Sequence, residues 1–298
     1  MTQLSLLTKR NIKMFFKDKV MFFTSLITPA ILLVLYATFL ARVFKDSFVS
    51  QFSEFNFAVS NKTLNSLVGG QLVSSLLSVT TITVAFCSNT LMVQDKANST
   101  IKDISVSPVK PSILALSYFI ASVFVTLIIS FTALFLGLGY LAIVGWGLSF
   151  LDVVMLIVDT ILAVLFGTAL SSVIHSFLSS QGQISAVGTI VSAGYGFICG
   201  AYMPIASFSS FLQKIIMFLP GTYLTNLFRI HALNTPISNI ENLPPEVLPS
   251  LKQGLDIELK FFNTTVSPLA SFIIFACSTL LFLGLYILIT TLKNKKSK

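Results

Sequence analysis

The chain has 298 residues, of which 54% are hydrophobic and only 10% charged, with 28 phenylalanines and a mean hydropathy of +0.88. An ordinary soluble domain carries about 25% charged residues, so this composition excludes one and points to a protein embedded in a bilayer. The net charge of +8 does not signal nucleic acid, which needs a basic patch on a folded soluble domain; here the basic residues set membrane topology.

The opening segment, residues 1–19, contains "LTKRNIKMFFKDK", with Lys9, Lys13 and Lys17 at i, i+4, i+8 and Leu7, Met14 and Phe15 among its apolar residues. That pattern predicts a helix along the inner membrane surface, lysines toward lipid phosphates or a partner; the bland alternative is a topogenic charge cluster. The first apolar run, 20–40, follows a long basic leader and no small-residue cleavage motif, so it is expected to stay as a membrane span. A loop at 41–66 separates it from the second span, 67–92.

Residues 93–112, "VQDKANSTIKDISVSPVKPS", then interrupt the apolar sequence. Asn98 or Ser99 can cap a short helix with the body "TIKDISV", and Pro108 stops it, because a residue before proline disfavours helical geometry. Ile101 and Ile104 against Lys102 and Asp103 make an amphipathic knob able to dock in a groove on a soluble partner.

The third span runs 113–144, the turn "GWGLS" follows, and the fourth runs 151–174. The fifth, 184–203, is glycine-rich: Gly196 and Gly200 stand at G-x-x-x-G spacing, preceded by Gly188 and Gly194, a pattern for close helix approach or bending. After it, "PIASFSSFLQKIIMFLPGTYLTNLFRIHAL" (204–233) repeats apolar residues at helical spacing but breaks at Pro220-Gly221, too soon to cross. It predicts a re-entrant helical hairpin at the outer leaflet; the alternative is a peripheral helix packed on the fifth span. An external loop at 234–265 carries Glu241, Glu246, Asp256 and Glu258, and the sixth span is 266–292. Six spans place the basic clusters at Lys9–Lys19, Lys96–Lys110 and Lys293–Lys298 on one side, the cytoplasm, with both termini inside.

Catalytic equipment is missing from the sequence. There is no G-x-x-x-x-G-K-[ST], no H-E-x-x-H and no nucleophile elbow, so the chain reads as a conduit or scaffold whose energy comes from elsewhere. No metal is expected: His175 and His231 are placed on opposite sides. Cys87, Cys199 and Cys277 sit in apolar runs as buried hydrophobes, and the sequons at Asn61, Asn98 and Asn263 carry no weight. Asp159, inside the fourth span, is costly unless paired or hydrated; it reads as a hydrogen-bonding strut or, alternatively, as the relay of a proton-coupled secondary transporter. Asp152 lies near the outer surface.

The order of these features resembles the ABC-2 family of ATP-binding-cassette transporter permeases over essentially the whole chain. In that family a long second span is followed by an acidic residue, a "GTLE"-like turn and "SPV". Here the stretch reads "QDKANSTIKDISVSPV": Asp95 takes the acidic position, Ser99-Thr100-Ile101 the turn and Ser107-Pro108-Val109 the ending, with departures at Asn98 (usually glycine) and Lys102 (usually an acid). The segment "YMPIASFSSFLQKIIMFLPGTYLTNLFR" is similar to the family's external hairpin with its "P-x-T/S-Y". The resemblance implies an all-α integral membrane fold of the type V exporter kind, with six spans, an amphipathic leader, a cytoplasmic coupling helix and an external re-entrant hairpin. It implies a second permease subunit and two cytoplasmic ATPase chains that bind ATP and Mg, and no cofactor on this chain. Asp95, Lys96, Ser99, Thr100, Ile101, Lys102, Asp103 and Ile104 would form the ATPase-coupling region at 93–111, with 175–183 as a second contact. Substrate would pass between spans two and five of the paired subunits, past Thr83, Asn89, Ser192 and Tyr195, with Asp159 a further candidate. The implied function is outward, ATP-driven movement of a lipophilic cargo (drug, antibiotic, antimicrobial peptide or lipid) across a bacterial cell membrane; a polysaccharide or teichoic-acid exporter is the alternative.

Overall fold

The computed structural model describes residues 2–54, 59–107, 109–240, 243, 245, 247–262 and 264–296. Pro108, Glu241, Glu246, Asn263 and Lys298, which enter the reading above, lie outside the described residues. Helix α1 (Gln3–Lys17) starts where the Thr2 hydroxyl accepts the Ser5 N–H. Lys9, Lys13 and Lys17 are exposed as the periodicity requires, while Asn11 and Phe15 on the other side are buried. Phe15 packs with Met21, Leu91, Met92 and Tyr118, so the leader lies against the bundle. Asp18 ends α1 and caps α2 (Lys19–Leu35), accepting the Met21 N–H at 3.0 Å.

Beyond α2 the structure departs from the expected loop at 41–66. The helix continues through a π-helical turn (Tyr36–Leu40) into α3 (Ala41–Glu54). Tyr36, Leu40, Phe44, Phe48 and Phe52 recur every four residues and are all buried, so one apolar stripe holds the extension on the bundle while Arg42 faces outward. Helix α4 (Asn61–Ala97) is the central rod, buried over most of its length. Several of its hydroxyls bond back to their own helix, Ser78 donating to the Ser74 carbonyl, Thr81 to Leu77 and Thr83 to Val79, while Ser88 reaches Ser122 on the third long helix. Without an aqueous driving force in lipid, such packing and hydrogen bonds hold the helices together.

Helix α5 (Thr100–Val106) is the expected short polar helix. It is not capped by Asn98 or Ser99, however: Asn98 closes α4, and Ser99 turns the corner at φ 61° with no side-chain bond. A left-handed serine is strained, so Ser99→Gly should raise the melting temperature, by a stabilisation of about 1 kcal/mol. An unchanged or lower value would mean that the corner is set by its surroundings.

Helices α6 (Pro111–Val144), α7 (Phe150–Phe177) and α8 (Gln181–Ile198) follow, the last two opened by capping boxes at Ser149/Asp152 and Ser180/Gln183. The hairpin segment contains a 3-10 turn (Ile205–Ser207), a short α9 (Ser210–Ile216) and α10 (Pro220–Ser238). Pro220 opens α10 rather than merely breaking the run, since proline suits a first helical turn. Nearly all of α10 is buried, packed on α4, α7 and the last helix, whereas α9 leaves Phe211, Leu212 and Ile215 exposed. The expected loop at 234–265 shrinks to a connection holding α11 (Val247–Gly254) and an antiparallel pair, β1 (Leu259–Phe261) with β2 (Thr264–Val266). Helix α12 (Pro268–Lys296) closes the fold against α7 and α10.

Among the described residues, five helices are long and apolar enough to cross a membrane: Lys19–Ser50, Asn61–Ala97, Pro111–Val144, Phe150–Phe177 and Pro268–Leu292. The expected fifth crossing is α8, at 18 residues the shortest of the long apolar elements and opened by the polar Gln181-Gly182-Gln183.

The glycine pattern has a local use. Gly200 adopts φ 77° and turns the chain at the end of α8, while Gly196 leaves a notch that the Tyr202 ring fills. Gly188 has open space beside it. The G-x-x-x-G pair therefore shapes the end of α8, not a helix–helix contact within the chain.

Candidate functional site

Two polar clusters and one apolar furrow stand out from the bundle. The first cluster lies where α4 meets α5. Asp95 is 5% exposed, and its carboxylate is gripped by both terminal nitrogens of Arg10 on α1, with Nη2 donating to Oδ1 at 3.1 Å. The Tyr118 hydroxyl on α6 donates to the other oxygen at 2.5 Å, and Asn11 donates to Ser117 at 3.1 Å alongside. Forked guanidinium–carboxylate geometry fixes direction as well as distance. The hydrogen bond to Asp95 pushes the Arg10 pKa further above its ordinary value, so the guanidinium stays charged. Lys96, next in sequence, donates to the carbonyls of His175 (3.2 Å), Ser176 and Leu178 at the C-terminal end of α7. Deeper in the bundle Asn89 donates to the hydroxyls of Ser171 and Ser172. The last turns of α4 thus hold α1, α6 and α7 at one point, and α5 projects from it. On α5, Ile101 and Ile104 are half-buried, whereas Lys102, Asp103 and Val106 are exposed. Phe177, the last residue of α7, is 66% exposed.

The second cluster is built on α10. Arg229 is 1% exposed, donates to Asp256 Oδ2 and to the Gly200 carbonyl, both at 2.5 Å, and lies against the Gln71 amide of α4, whose oxygen accepts from Nη2 at 2.9 Å when turned toward it. Asp256 Oδ2 also accepts the Ile205 N–H at 2.8 Å. Asn226, one turn earlier, donates to the Asp256 and Ile257 carbonyls at 2.8 Å and accepts from Ser271 on α12. His231, two residues on, donates through Nδ1 to Asp159 on α7 at 2.5 Å. One helix therefore joins α4, α7, α12, the end of α8 and the connection before β1 by charged or amide side chains.

The furrow runs between α2–α3 and α8. Two hollows of about 660 and 620 Å³ share Thr28, Ile31, Ser192 and Ala193, and so meet end to end. One is apolar and aromatic, with Phe39, Phe44, Phe48, Phe197 and Tyr202; the other is rich in hydroxyls and reaches Asp18 and Gln94.

Residues 2–233 match the family described as ABC-2 type transporter. The chain belongs to that family. No curated protein matches it. As an ABC-2 membrane domain it is a multi-pass, all-α membrane protein and a permease component of a transporter.

Within this ABC-2 permease the expected site residues separate into groups. Ser99, Thr100, Ile101, Lys102, Asp103 and Ile104 stay together on and beside α5, while Asp95 and Lys96 turn inward and have side-chain partners on other helices. Burial puts the Asp95 carboxylate out of reach of a docking partner, so its place is behind the knob. Among the expected path residues, Ser192 lines both hollows and Thr83 lines the hydroxyl-rich one. Asn89 does not face a path: it is 2% exposed and spent on α7. Tyr195 packs its ring over Gly221, its hydroxyl buried. Asp159 is paired, because α10 brings His231 to it from 72 residues away. Arg10 and Arg229 were not singled out by sequence; an arginine inside an apolar segment, as in "LTNLFRIHAL", was the signal that pointed to the second.

Proposed function

We propose that the chain is the membrane half of an ATP-driven exporter: two copies pair, and two separate cytoplasmic ATPase chains, which hold ATP and Mg, drive them. Both termini and α5 lie on the cytoplasmic side of the cell membrane, α8 serves as the fifth of six crossings, and α9–α10 is the external hairpin. The observation that carries this reading is the joint at Asp95–Ser99. A short amphipathic helix leaves the central rod at a left-handed residue, and the turn before it is bonded to α1 by Arg10 and to α7 by Lys96. A displacement of α5 is therefore passed to three helices at once, and ATP binding can shift the permease between states only through such differential contacts. Ile101 and Ile104 supply the apolar contact with the ATPase, Lys102 and Asp103 its polar rim, and Phe177 a second contact. The furrow, continuous and lined largely by apolar side chains, supports a lipophilic cargo, and with the motif order it favours outward drug- or lipid-type export over glycan export.

The test is co-purification from native membranes in mild detergent. Wild type should bring down a chain with nucleotide-binding motifs, and Ile101→Asp, which alters only a half-buried position on α5, should lose it at least tenfold while keeping its own melting temperature. Absence of any ATPase from wild type, even after crosslinking, would end the reading.

A further inference from the structure

The furrow carries information about charge. Among the described residues lining its two hollows there is no lysine or arginine, and Asp18 is the one carboxylate. Lys17 and Lys19, its sequence neighbours, are exposed and do not line it. The hydroxyl-rich hollow presents acceptors: the Asp18 carboxylate, the amides of Gln94 and Gln181, and His175, whose Nδ1 bonds the Ser171 carbonyl at 2.8 Å and which in the uncharged ring leaves Nε2 to accept. The other hollow is walled by aromatic side chains, which offer a large apolar surface. Each hollow has the volume of a drug-sized ligand, roughly 300–1,000 Å³.

A phosphate or pyrophosphate head needs arginine or lysine donors when it leaves water, and this lining offers none. A cation in the same low-dielectric setting needs a carboxylate, which Asp18 supplies in one hollow, and its apolar body needs an apolar wall, which the aromatic side chains of the other hollow supply. We infer that the furrow is a binding site for lipophilic cations, holding the positive charge toward Asp18 and the apolar body between Ser192 and the phenylalanines of α3. The inference rests on reading the furrow as the cargo route, and it narrows that cargo to cationic amphiphiles, against anionic lipid-linked glycans.

The experiment uses two probes of equal size and opposite charge, tetraphenylphosphonium and tetraphenylborate, in equilibrium binding to the full chain in nanodiscs of phosphatidylcholine. The phosphonium should bind saturably and the borate should not. Asp18→Asn should weaken the phosphonium about tenfold, the size of one charge-assisted contact. Asparagine caps a helix as well as aspartate does, so α2 keeps its start. Thr189→Lys, at an exposed position lining the same hollow, should abolish phosphonium binding and admit the borate, and Ser192→Trp should block the waist. Equal binding of both ions, saturable binding of neither, or phosphonium affinity indifferent to both Asp18→Asn and Thr189→Lys would overturn the assignment. The assay contains no ATP and no ATPase, so its failure leaves the permease reading to the co-purification experiment, and failure there leaves this binding result standing.

Discussion

Replacing Arg229 with methionine should destabilise the detergent-solubilised protein by roughly 3–5 kcal/mol, the cost of leaving a buried carboxylate without its partner. The guanidinium is 1% exposed and its loss strands Asp256, the Gly200 carbonyl and Gln71 together. The double change Arg229→Met with Asp256→Leu should recover a good part of the loss, because a matched apolar pair in a buried site is often near neutral. Recovery will be incomplete, since Asp256 also accepts the Ile205 N–H. Thermal unfolding followed by the fluorescence of a thiol-reactive dye would measure both. A single-variant effect under about 1 kcal/mol would mean that water replaces the guanidinium and that the cluster is hydrated, not a lock.

At the opposite end, Asp95→Asn should release α1. The amide keeps the shape but removes the charge from a forked contact, costing about 2 kcal/mol. The expected result is faster amide hydrogen exchange over residues 3–17, by a factor on the order of ten, with little change in the hairpin segment. Transport driven by ATP should fall with it, while ATPase capture persists, because Ile101 and Ile104 are untouched. Arg10→Met should reproduce the effect, and the double variant should be no worse than either single one. Unaltered exchange in α1 would show that Phe15 and the Asn11–Ser117 contact hold the leader without help from Asp95.

These contrasts also show what the sequence could reveal. Hydropathy marks the long helices because a bilayer demands length and apolarity and little else. The existence of α5 and its apolar pair were legible as local signals, although the predicted cap does not form and a left-handed serine makes the corner instead. Helix α3 was not, because Arg42, Lys45 and Asp46 depress the average hydropathy; the four-residue recurrence of Tyr36, Leu40, Phe44, Phe48 and Phe52 was present and would have identified it. The Asp159–His231 and Arg229–Asp256 pairs join elements 72 and 27 residues apart, and no local periodicity encodes such partners. The placement of Asn89 failed for a related reason: a polar residue in a long buried rod has several faces to choose from, and the Ser171 and Ser172 hydroxyls and the Thr168 carbonyl, all on α7, chose for it.

Helix α4 touches both clusters: Gln71 meets Arg229 and Asp95 meets Arg10, some two dozen residues and about 36 Å apart along one unbroken helix. Such a rod behaves as a seesaw. Tilting it by about 5° about its middle sweeps each end through about 1.6 Å in opposite directions, half the length of a hydrogen bond. A stroke that small at the Asp95 end is enough to loosen contacts at the Gln71 end, with no unfolding and no relay of rearranged side chains between them.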